Sequence, residues 1–276
     1  MPARLMPASL MPHRLLRGLA FGLGLLAAAP LAAREDPIGP EGWPLLFAEE
    51  FDAPLDVTPW GERPSRWIAH TPWNGDFGDA EFADPAPGFP FSQEDGVLSI
   101  EARRAPDGRW RAGLLSATDP QGRGFSARTG YFEVRMRVPP GKGVWPAFWL
   151  MGLDRSAMSA EIDVMEHYGH MPARFSSKIH VWGARTGGED RSRTRRTTAG
   201  APLAEGFHRW GVLLEENHIT FYFDRRPVWD VPRPPEFDMP FYPLVNLALG
   251  SGWPIDETPD PSYLLVDYVR VYALPE

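Results

Sequence analysis

Short runs in which apolar and polar residues alternate recur along this chain, and they constrain its fold more than any other feature. In residues 131–138, four apolar residues alternate with Glu133, Arg135 and Arg137. A period of two is typical of a half-buried β-strand, with one face on the core and the other in solvent. Similar runs occupy residues 97–102, 218–223 and 264–272.

Few windows carry the repeat of an amphipathic helix, and the composition favours turns. The chain has 31 Pro and 27 Gly among 276 residues. Many short strands with few helices predict an all-β protein, built as an antiparallel β-sandwich or barrel, and the length suits one large sandwich. Residues 60–91 are rich in Gly, Pro, Asp and aromatic residues, so we expect long loops there that carry function.

The first 33 residues differ from the rest of the chain. Three arginines, Arg4, Arg14 and Arg17, precede an apolar run at residues 19–29, and a small-residue stretch follows at residues 30–33. This order is typical of a secretory signal peptide. A membrane anchor is the alternative, but the apolar run is shorter than the roughly 20 residues that span a bilayer. We expect a signal peptide at residues 1–33, a single catalytic domain at 34–276, and a secreted or periplasmic protein that is not attached to the membrane after cleavage.

Charge and cysteine content exclude several classes of function. Without residues 1–33 the chain would carry 25 basic and 36 acidic residues, a net charge of −11. Nucleic acid is therefore not an expected partner, because phosphate binding needs positive charge. The chain has no Cys, which excludes disulfides, thiolate zinc sites and a cysteine nucleophile.

Three acidic residues lie close together in the segment EIDVME at residues 161–166. No face of a helix would collect all three. On a regular strand Glu161 and Asp163 share a face, while Glu166 points to the other side. One extra residue, a β-bulge near Val164 and Met165, would return Glu166 to the face of the other two. We predict a bulged strand that presents the three acids in a row on a concave face.

This spacing suits the chemistry of glycoside cleavage. Glutamates four effective strand positions apart have Cα atoms about 13 Å apart, and side chains that lean inward could approach the roughly 5–5.5 Å of a retaining glycosidase. Asp163, between them, could share a proton and help to set which carboxyl is charged. Two alternatives remain open, namely a solvated strand face or a metal site that also uses His167, His170 or His180.

Aromatic residues near these acids are candidate platforms for sugar rings, whose apolar C–H faces bind to exposed aromatic faces. On a strand, Trp145 and Trp149 would share a face just upstream of the acids. A position in the core is the alternative for each tryptophan, and a structural role is the alternative for His180. The further candidates for substrate binding are Trp73, Asn74, His180, Trp182 and Trp253.

The acidic segment resembles the E-x-D-x-x-E signature, in its bulged form, of glycoside hydrolase family 16, the laminarinase, agarase and carrageenase group. The resemblance extends over about residues 43 to 273 because further segments match in the expected order. They are FAEEFD at 47–52, GYFEVR at 130–135, GVWPAFW at 143–149, FHRW at 207–210, NLA at 246–248 and VDYVRVY at 266–272.

The resemblance implies a β-jelly roll of two curved sheets with the substrate across the concave sheet. It implies Glu161 as the nucleophile, Glu166 as the general acid/base and Asp163 as the assisting residue. It implies no cofactor for catalysis. Many relatives hold a structural calcium, and Asp267 matches the position of one of its ligands.

Two segments depart from the family pattern. Residues 73–82 stand where laminarinase-like members carry Asn-Glu-Leu-Gln, so both β-1,3-glucan and galactan remain open as the substrate. Residues 183–201 form an insertion, expected to be a solvated loop or, through its arginines, a contact for an acidic polysaccharide. These arginines are Arg185, Arg191, Arg193, Arg195 and Arg196.

The sequence therefore predicts a secreted, endo-acting, retaining glycosidase that acts as a monomer on a β-linked polysaccharide. Three alternatives differ in what they require. A transglycosylase would use the same residues with another acceptor, whereas a non-catalytic carbohydrate-binding β-sandwich would not need the carboxylates. A metal-dependent hydrolase would lose its activity to a chelator.

Overall fold

The computed structural model describes residues 37–183 and 187–275, and eighteen β-strands lie in these ranges. In chain order they are β1 (Leu45–Glu49), β2 (Val57–Thr58), β3 (Trp67–Ile68), β4 (Glu81–Phe82), β5 (Phe91–Glu94), β6 (Val97–Arg104), β7 (Trp110–Ala112), β8 (Leu114–Ser116), β9 (Gly130–Arg137), β10 (Val144–Gly152), β11 (Ser159–His167), β12 (Arg174–Trp182), β13 (Arg191–Thr198), β14 (His208–Leu214), β15 (His218–Phe223), β16 (Arg226–Pro232), β17 (Phe241–Leu249) and β18 (Ser262–Tyr272). The helical segments described are two 3₁₀ turns, Leu203–Glu205 and Pro235–Phe237. The predicted all-β class is confirmed.

The strands form two sheets. One has ten strands in the order β16-β15-β14-β9-β18-β6-β7-β4, with β1 also paired to β18 and β5 to β6. The other has eight strands in the order β13-β12-β11-β10-β17-β8-β3-β2. Pairing is antiparallel throughout the described strands except in two short pairs, β2 with β3 and β4 with β7.

The two sheets pack against each other through one apolar core. Strand β9 of the ten-stranded sheet contributes Phe132 and Val134, and β10 of the eight-stranded sheet contributes Phe148 and Leu150. All four side chains are fully buried. Because neighbouring residues of a strand point to opposite faces, the alternate positions of β10 are free to form the outer surface of the eight-stranded sheet. The predicted β-sandwich is confirmed.

Strand β9 departs from the half-buried pattern that was predicted for residues 131–138. Glu133, expected in solvent, is completely buried. Its carboxylate accepts hydrogen bonds from the hydroxyls of Tyr131 and Tyr268, and it forms an ion pair with Arg225. These side chains cover the outer face of the ten-stranded sheet at this point, so β9 is buried on both faces.

The insertion at residues 183–201 is not a loop along its whole length, which corrects that expectation. Its second half is strand β13, which pairs with β12 from Arg174 to Val181. The backbone N–H and C=O groups of β12 that do not pair with β11 form a ladder of hydrogen bonds with β13. This ladder orders β13 although its side chains are not apolar. Arg185 lies outside the described residues.

The predicted loops at residues 60–91 contain only the two-residue strands β3 and β4 and the start of β5. The predicted signal peptide at residues 1–33 lies outside the described residues. No helix among the described residues is long and apolar enough to cross a membrane.

Candidate active site

Strand β11 contains the predicted β-bulge, and the bulge places the three acids on one face. Met165 pairs with Phe148 of β10 and Asp163 pairs with Trp149, so Val164 is the extra residue. The pairing with β12 shows the same irregularity between Asp163 and Glu166. The six residues from Glu161 to Glu166 therefore span only four steps of the partner strand β10, from Met151 to Ala147, and both glutamates project to the same side as Asp163.

A groove of about 320 Å³ lies over this face of the eight-stranded sheet. All three acids line it, together with Trp145, Ala147 and Trp149 of β10 and Asn246 of β17. The loop around residues 73–77 forms a further wall through Trp73, Gly75, Asp76 and Phe77. Six of the predicted site residues therefore line this groove. They are the three acids, Trp145 and Trp149 of β10, and Trp73 of the loop.

Glu161 is held by an indole N–H. Trp182 Nε1 donates to Glu161 Oε2 over 2.5 Å, and the Trp182 ring stacks on His180 with centroids 4.6 Å apart. Burial, reinforced by the charge of Asp163, raises the pKa of Glu161 to about 8. Trp182 and His180, the candidates for substrate binding on β12, therefore lie beside the carboxylate row.

Asp163 is buried, as is Glu166, and it is linked to Glu161 by a side-chain hydrogen bond. Burial and the charge of Glu166 raise the pKa of Asp163 well above its usual value. His180 Nε2 lies 3.2 Å from Asp163 Oδ2, and burial lowers the pKa of His180. Burial and the neighbouring carboxylates therefore both favour a proton on the Glu161–Asp163 pair. With that proton on Asp163, Glu161 is the ionised member and accepts from Trp182.

Glu166 has a different set of partners. Its Oε1 accepts hydrogen bonds from Trp145 Nε1 and from the Tyr168 hydroxyl, each over 3.1 Å. Lys178 Nζ lies 2.5 Å from Oε2, as a close ionic contact. Burial lowers the pKa of Lys178, but the charge of Glu166, the hydrogen bond to it and the charges of Tyr168 and Asp163 together raise that pKa above its ordinary value. The two glutamates therefore differ in their surroundings. Glu161 has the neutral donor Trp182 and the carboxyl group of Asp163 beside it, whereas Glu166 has the cation Lys178.

The aromatic walls of the groove interlock. Trp149, only 5% exposed, donates from Nε1 to Asn246 Oδ1 over 2.8 Å and packs edge-on against Trp73. Trp145 stacks on Tyr168, with centroids 6.0 Å apart. The guanidinium of Arg155 lies 4.0 Å from the centre of the Trp73 ring. Trp149 is therefore both a nearly buried side chain and part of the groove wall, so the two alternatives given for it are not exclusive.

Four predicted substrate-binding residues lie outside the groove lining, namely His180 and Trp182, which contact the acids, and Asn74 and Trp253. Asn74 is exposed in the loop, with a positive φ of 53°. Trp253 is 47% exposed and packs on His170, with ring centroids 4.0 Å apart. His170 in turn lies 6.2 Å from Tyr168. Trp253 is thus connected to the groove by a row of rings rather than by contact with the acids.

Four residues with polar side chains in or beside the groove were not predicted as members of the site. Lys178 could have been found, because it is two positions from His180 on β12 and must share its face. Tyr168 follows Glu166 by two positions and offered the same signal. Asn246 and Asp76 come from distant parts of the chain, and no local periodicity connects them to the acids.

The residues around Asp267 do not fit the calcium that the resemblance implies. Asp267 Oδ2 is 2.5 Å from Arg135 Nη1, and Glu50 is paired with Arg270 over 2.6 Å in the same surface depression. Calcium requires several oxygen ligands that are free to converge on it. Within the described residues, no group of three or more His, Asp or Glu side chains is arranged to hold a metal ion. The three histidines near the acids likewise form no metal cluster there.

Comparison with known proteins identifies relatives across most of the chain. The family model of "Glycosyl hydrolases family 16" matches residues 113–270. The chain is 30% identical to a "Beta-glucanase" of Rhodothermus marinus over 94% of this chain and 95% of that protein. It is 34% identical to "Endo-1,3-1,4-beta-glycanase ExsH" of Rhizobium meliloti over 67% of this chain and 40% of the relative. The chain spans about two fifths of the length of several such relatives.

Solved structures give the same result for the fold. The crystal structure of SCLam, a non-specific endo-β-1,3(4)-glucanase, superposes with a TM-score of 0.68 at 26% identity. The match covers 88% of this chain and 96% of SCLam. The sandwich described above is therefore the jelly roll that the sequence predicted.

Proposed function

This chain belongs to glycosyl hydrolase family 16, and from that premise we propose that it is an endo-acting glycosidase that hydrolyses a β-linked polysaccharide with retention of configuration. The observation that carries the proposal is the carboxylate row of strand β11. Its two glutamates share one groove face but differ in their partners, Trp182 for Glu161 and Lys178 for Glu166. Two carboxyl groups with different tasks are what retaining glycoside hydrolysis requires.

In the first step, Glu161 attacks the anomeric carbon and forms an ester bond to the sugar. The glycosidic C–O bond breaks, and protonated Glu166 gives its proton to the departing oxygen. The N–H of Trp182 orients the attacking carboxylate, and a proton on Asp163 keeps Glu161 as the ionised member of their pair. Trp145 and Tyr168 hold the Glu166 carboxyl in place through Oε1.

In the second step, ionised Glu166 takes a proton from water, and the water oxygen attacks the anomeric carbon of the ester. The bond to Glu161 breaks and the carboxylate is regenerated. Lys178 Nζ lies 2.5 Å from Glu166 Oε2, so a positive charge lies directly beside the carboxylate that takes this proton. The contact therefore supports the proposal most directly in the second half of the reaction.

We propose a β-1,3-linked or mixed β-1,3/1,4-linked glucan as the substrate. Relatives named as a β-glucanase and as an endo-1,3-1,4-β-glycanase support this class. The groove supports a polymer of sugar rings, because Trp145, Trp149 and Trp73 line it together with the three acids. We further propose that the chain is exported with loss of residues 1–33 and acts outside the cytoplasm as a monomer. Mass spectrometry of the N-terminus and sedimentation of the purified protein would test these two points.

The test of the proposed function is reducing-sugar release from laminarin, mixed-linkage glucan, agarose, carrageenan and a β-galactan. The wild type, Glu161→Gln and the control Glu94→Gln are compared, since Glu94 is an exposed carboxylate on β5. We expect the wild type and the control to cleave a glucan, and Glu161→Gln to lose at least about 10³-fold in kcat/KM.

The product anomer, followed by NMR at early times, reports the stereochemistry. Retention supports the covalent route. Inversion, or full activity in Glu161→Gln, would remove Glu161 from the role of nucleophile. Binding without cleavage in the wild type would favour a carbohydrate-binding sandwich.

A further inference from the structure

Strand β13 carries an unusual charge for a protein of net charge −8. Four of its eight residues are arginines, and all four are exposed. Arg191 is paired with Glu236. The other three, Arg193, Arg195 and Arg196, have no hydrogen bond or ion pair with any residue in the part of the chain that the structure describes. The strand lies at the end of the eight-stranded sheet, two strands from the carboxylate row.

The register of the sheet separates these arginines onto two faces. Residues directly paired in antiparallel strands project to the same face. Glu166 pairs with Ser176, and Ser176 pairs with Arg196. Arg196 therefore projects from the groove face. Its Cα atom lies about 10 Å from that of Glu166, since two strand spacings separate them. Arg195 pairs with Ser177 and projects from the opposite face.

Two cationic side chains, Lys178 and Arg196, thus lie on the groove face beside Glu166, and they differ in whether a carboxylate neutralises them. Lys178, which pairs with Thr194, is a diagonal neighbour of Arg196, with Cα atoms about 7–8 Å apart. The charge of Lys178 is already neutralised by Glu166. Within residues 37–183 and 187–275, no carboxylate pairs with the guanidinium of Arg196. Its fork of N–H donors matches a carboxylate or a sulfate in geometry and charge, whereas neutral sugar hydroxyls require no cation.

We propose that Arg196 binds an anionic substituent, a carboxylate or sulfate group, on the polysaccharide that occupies the groove. This inference rests on the proposed function for the identity of the polymer, and it adds that the polymer is acidic. The substituent would lie on a sugar unit at the β12–β13 side of Glu166.

Charged side chains on an edge strand also prevent sheets from pairing edge to edge. That role requires charge on the strand but does not depend on its face. Arg195 and Arg196 are neighbours in sequence, both exposed and both unpaired among the described residues, and they differ in the face from which they project. The pair of variants Arg195→Gln and Arg196→Gln therefore separates the two explanations.

The experiment compares laminarin with laminarin that has been lightly carboxymethylated or lightly sulfated. For the wild type and both variants, kcat/KM is measured on each polymer and expressed as the ratio of anionic to neutral substrate. We expect Arg196→Gln to lower this ratio about 10-fold, in line with one charge-assisted hydrogen bond, and Arg195→Gln to leave it unchanged. Added salt should reduce the difference between wild type and Arg196→Gln. The polymer that shows the larger loss identifies carboxylate or sulfate as the preferred group.

Affinity electrophoresis in gels that contain the same polymers keeps the inference testable if none of them is cleaved. Mobility is referred to a gel without polymer, so the charge change of the variants cancels. Retardation by the anionic polymer that is lost in Arg196→Gln alone supports the inference, even where the absence of cleavage would count against the proposed function. Equal ratios and equal retardation in all three proteins, or equal losses in both variants, would overturn it.

Discussion

At the scale of single residues, the carboxylate row is a place where function costs stability. Glu161 and Asp163 are enclosed next to each other, and burial raises the pKa of both. A pair that must share a proton destabilises the folded state whenever the pH is high enough to remove that proton. The indole of Trp182 offsets a part of this cost for Glu161.

Replacing Glu161 with Gln should therefore stabilise the protein at alkaline pH. The folded-state pKa of about 8 lies above the ordinary value of 4.5, so the folded protein holds the proton more tightly and wild-type stability falls as the pH rises through this window. We expect Glu161→Gln to gain about 1–3 kcal/mol in the free energy of unfolding near pH 8–9, less than the full shift because the pair shares one proton. The gain should vanish near pH 4.5.

Urea unfolding at pH 4.5, 6 and 8 measures this effect. Glu94→Gln, which changes an exposed carboxylate, should show no difference that depends on pH. A Glu161→Gln protein that is no more stable than the wild type at pH 8 would show that the proton is not retained by this pair.

The acids themselves were predictable because their signal is local. Glu161, Asp163 and Glu166 lie within six residues, and the need for a bulge follows from the period of a strand. Trp149 and Asn246 are joined by a hydrogen bond across 97 residues of sequence. No pattern within one segment reveals that contact, so this part of the groove lining could not be predicted from the sequence.

At the scale of strands, the same limit explains the two elements that were predicted wrongly. Alternation in residues 131–138 indicated one wet face for β9, but Arg225 and Tyr268 cover Glu133 from 92 and 135 residues away. Strand β13 gave no apolar signal because it is an edge strand with all but one of its residues exposed. Periodicity detects a strand only where one of its faces is buried.

Glu133 connects three elements of the ten-stranded sheet. Its two oxygens accept from Tyr131 on β9 over 2.9 Å and from Tyr268 on β18 over 2.8 Å. Arg225, in the turn between β15 and β16, donates to both oxygens over 3.0 and 3.1 Å. A buried ion pair of this kind costs most when one partner is removed, since the other charge stays behind.

We expect Glu133→Gln to lower the free energy of unfolding by about 3–5 kcal/mol. The measurement is urea unfolding at neutral pH, with Glu94→Gln as the control for loss of a carboxylate in an exposed strand. Because Glu133 lies on the sheet opposite the groove, kcat/KM well below the melting temperature should stay close to that of the wild type. A loss below about 1 kcal/mol would mean that the network is not a structural tie.

At the scale of the whole molecule, the two sheets differ in what their outer faces carry. The eight-stranded sheet carries the groove, whereas the outer face of the ten-stranded sheet carries carboxylates that are neutralised by arginines. Asp267 is paired with Arg135, and Glu50 with Arg270. In this arrangement guanidinium groups provide the positive charge that a calcium ion would otherwise bring to the same oxygens.

The thermal stability of this protein should therefore be independent of calcium. A bound ion at a hundred times its Kd would add about 2.7 kcal/mol, which for a domain of this size raises the melting temperature by roughly 2–4 °C. We expect the melting temperatures in EDTA and in calcium chloride to differ by less than about 1 °C, with magnesium chloride as the control for ionic strength. A rise of several degrees that is specific to calcium would mean that the ion displaces Arg135 from Asp267, and the arginine pairing would then be the state of the site without metal.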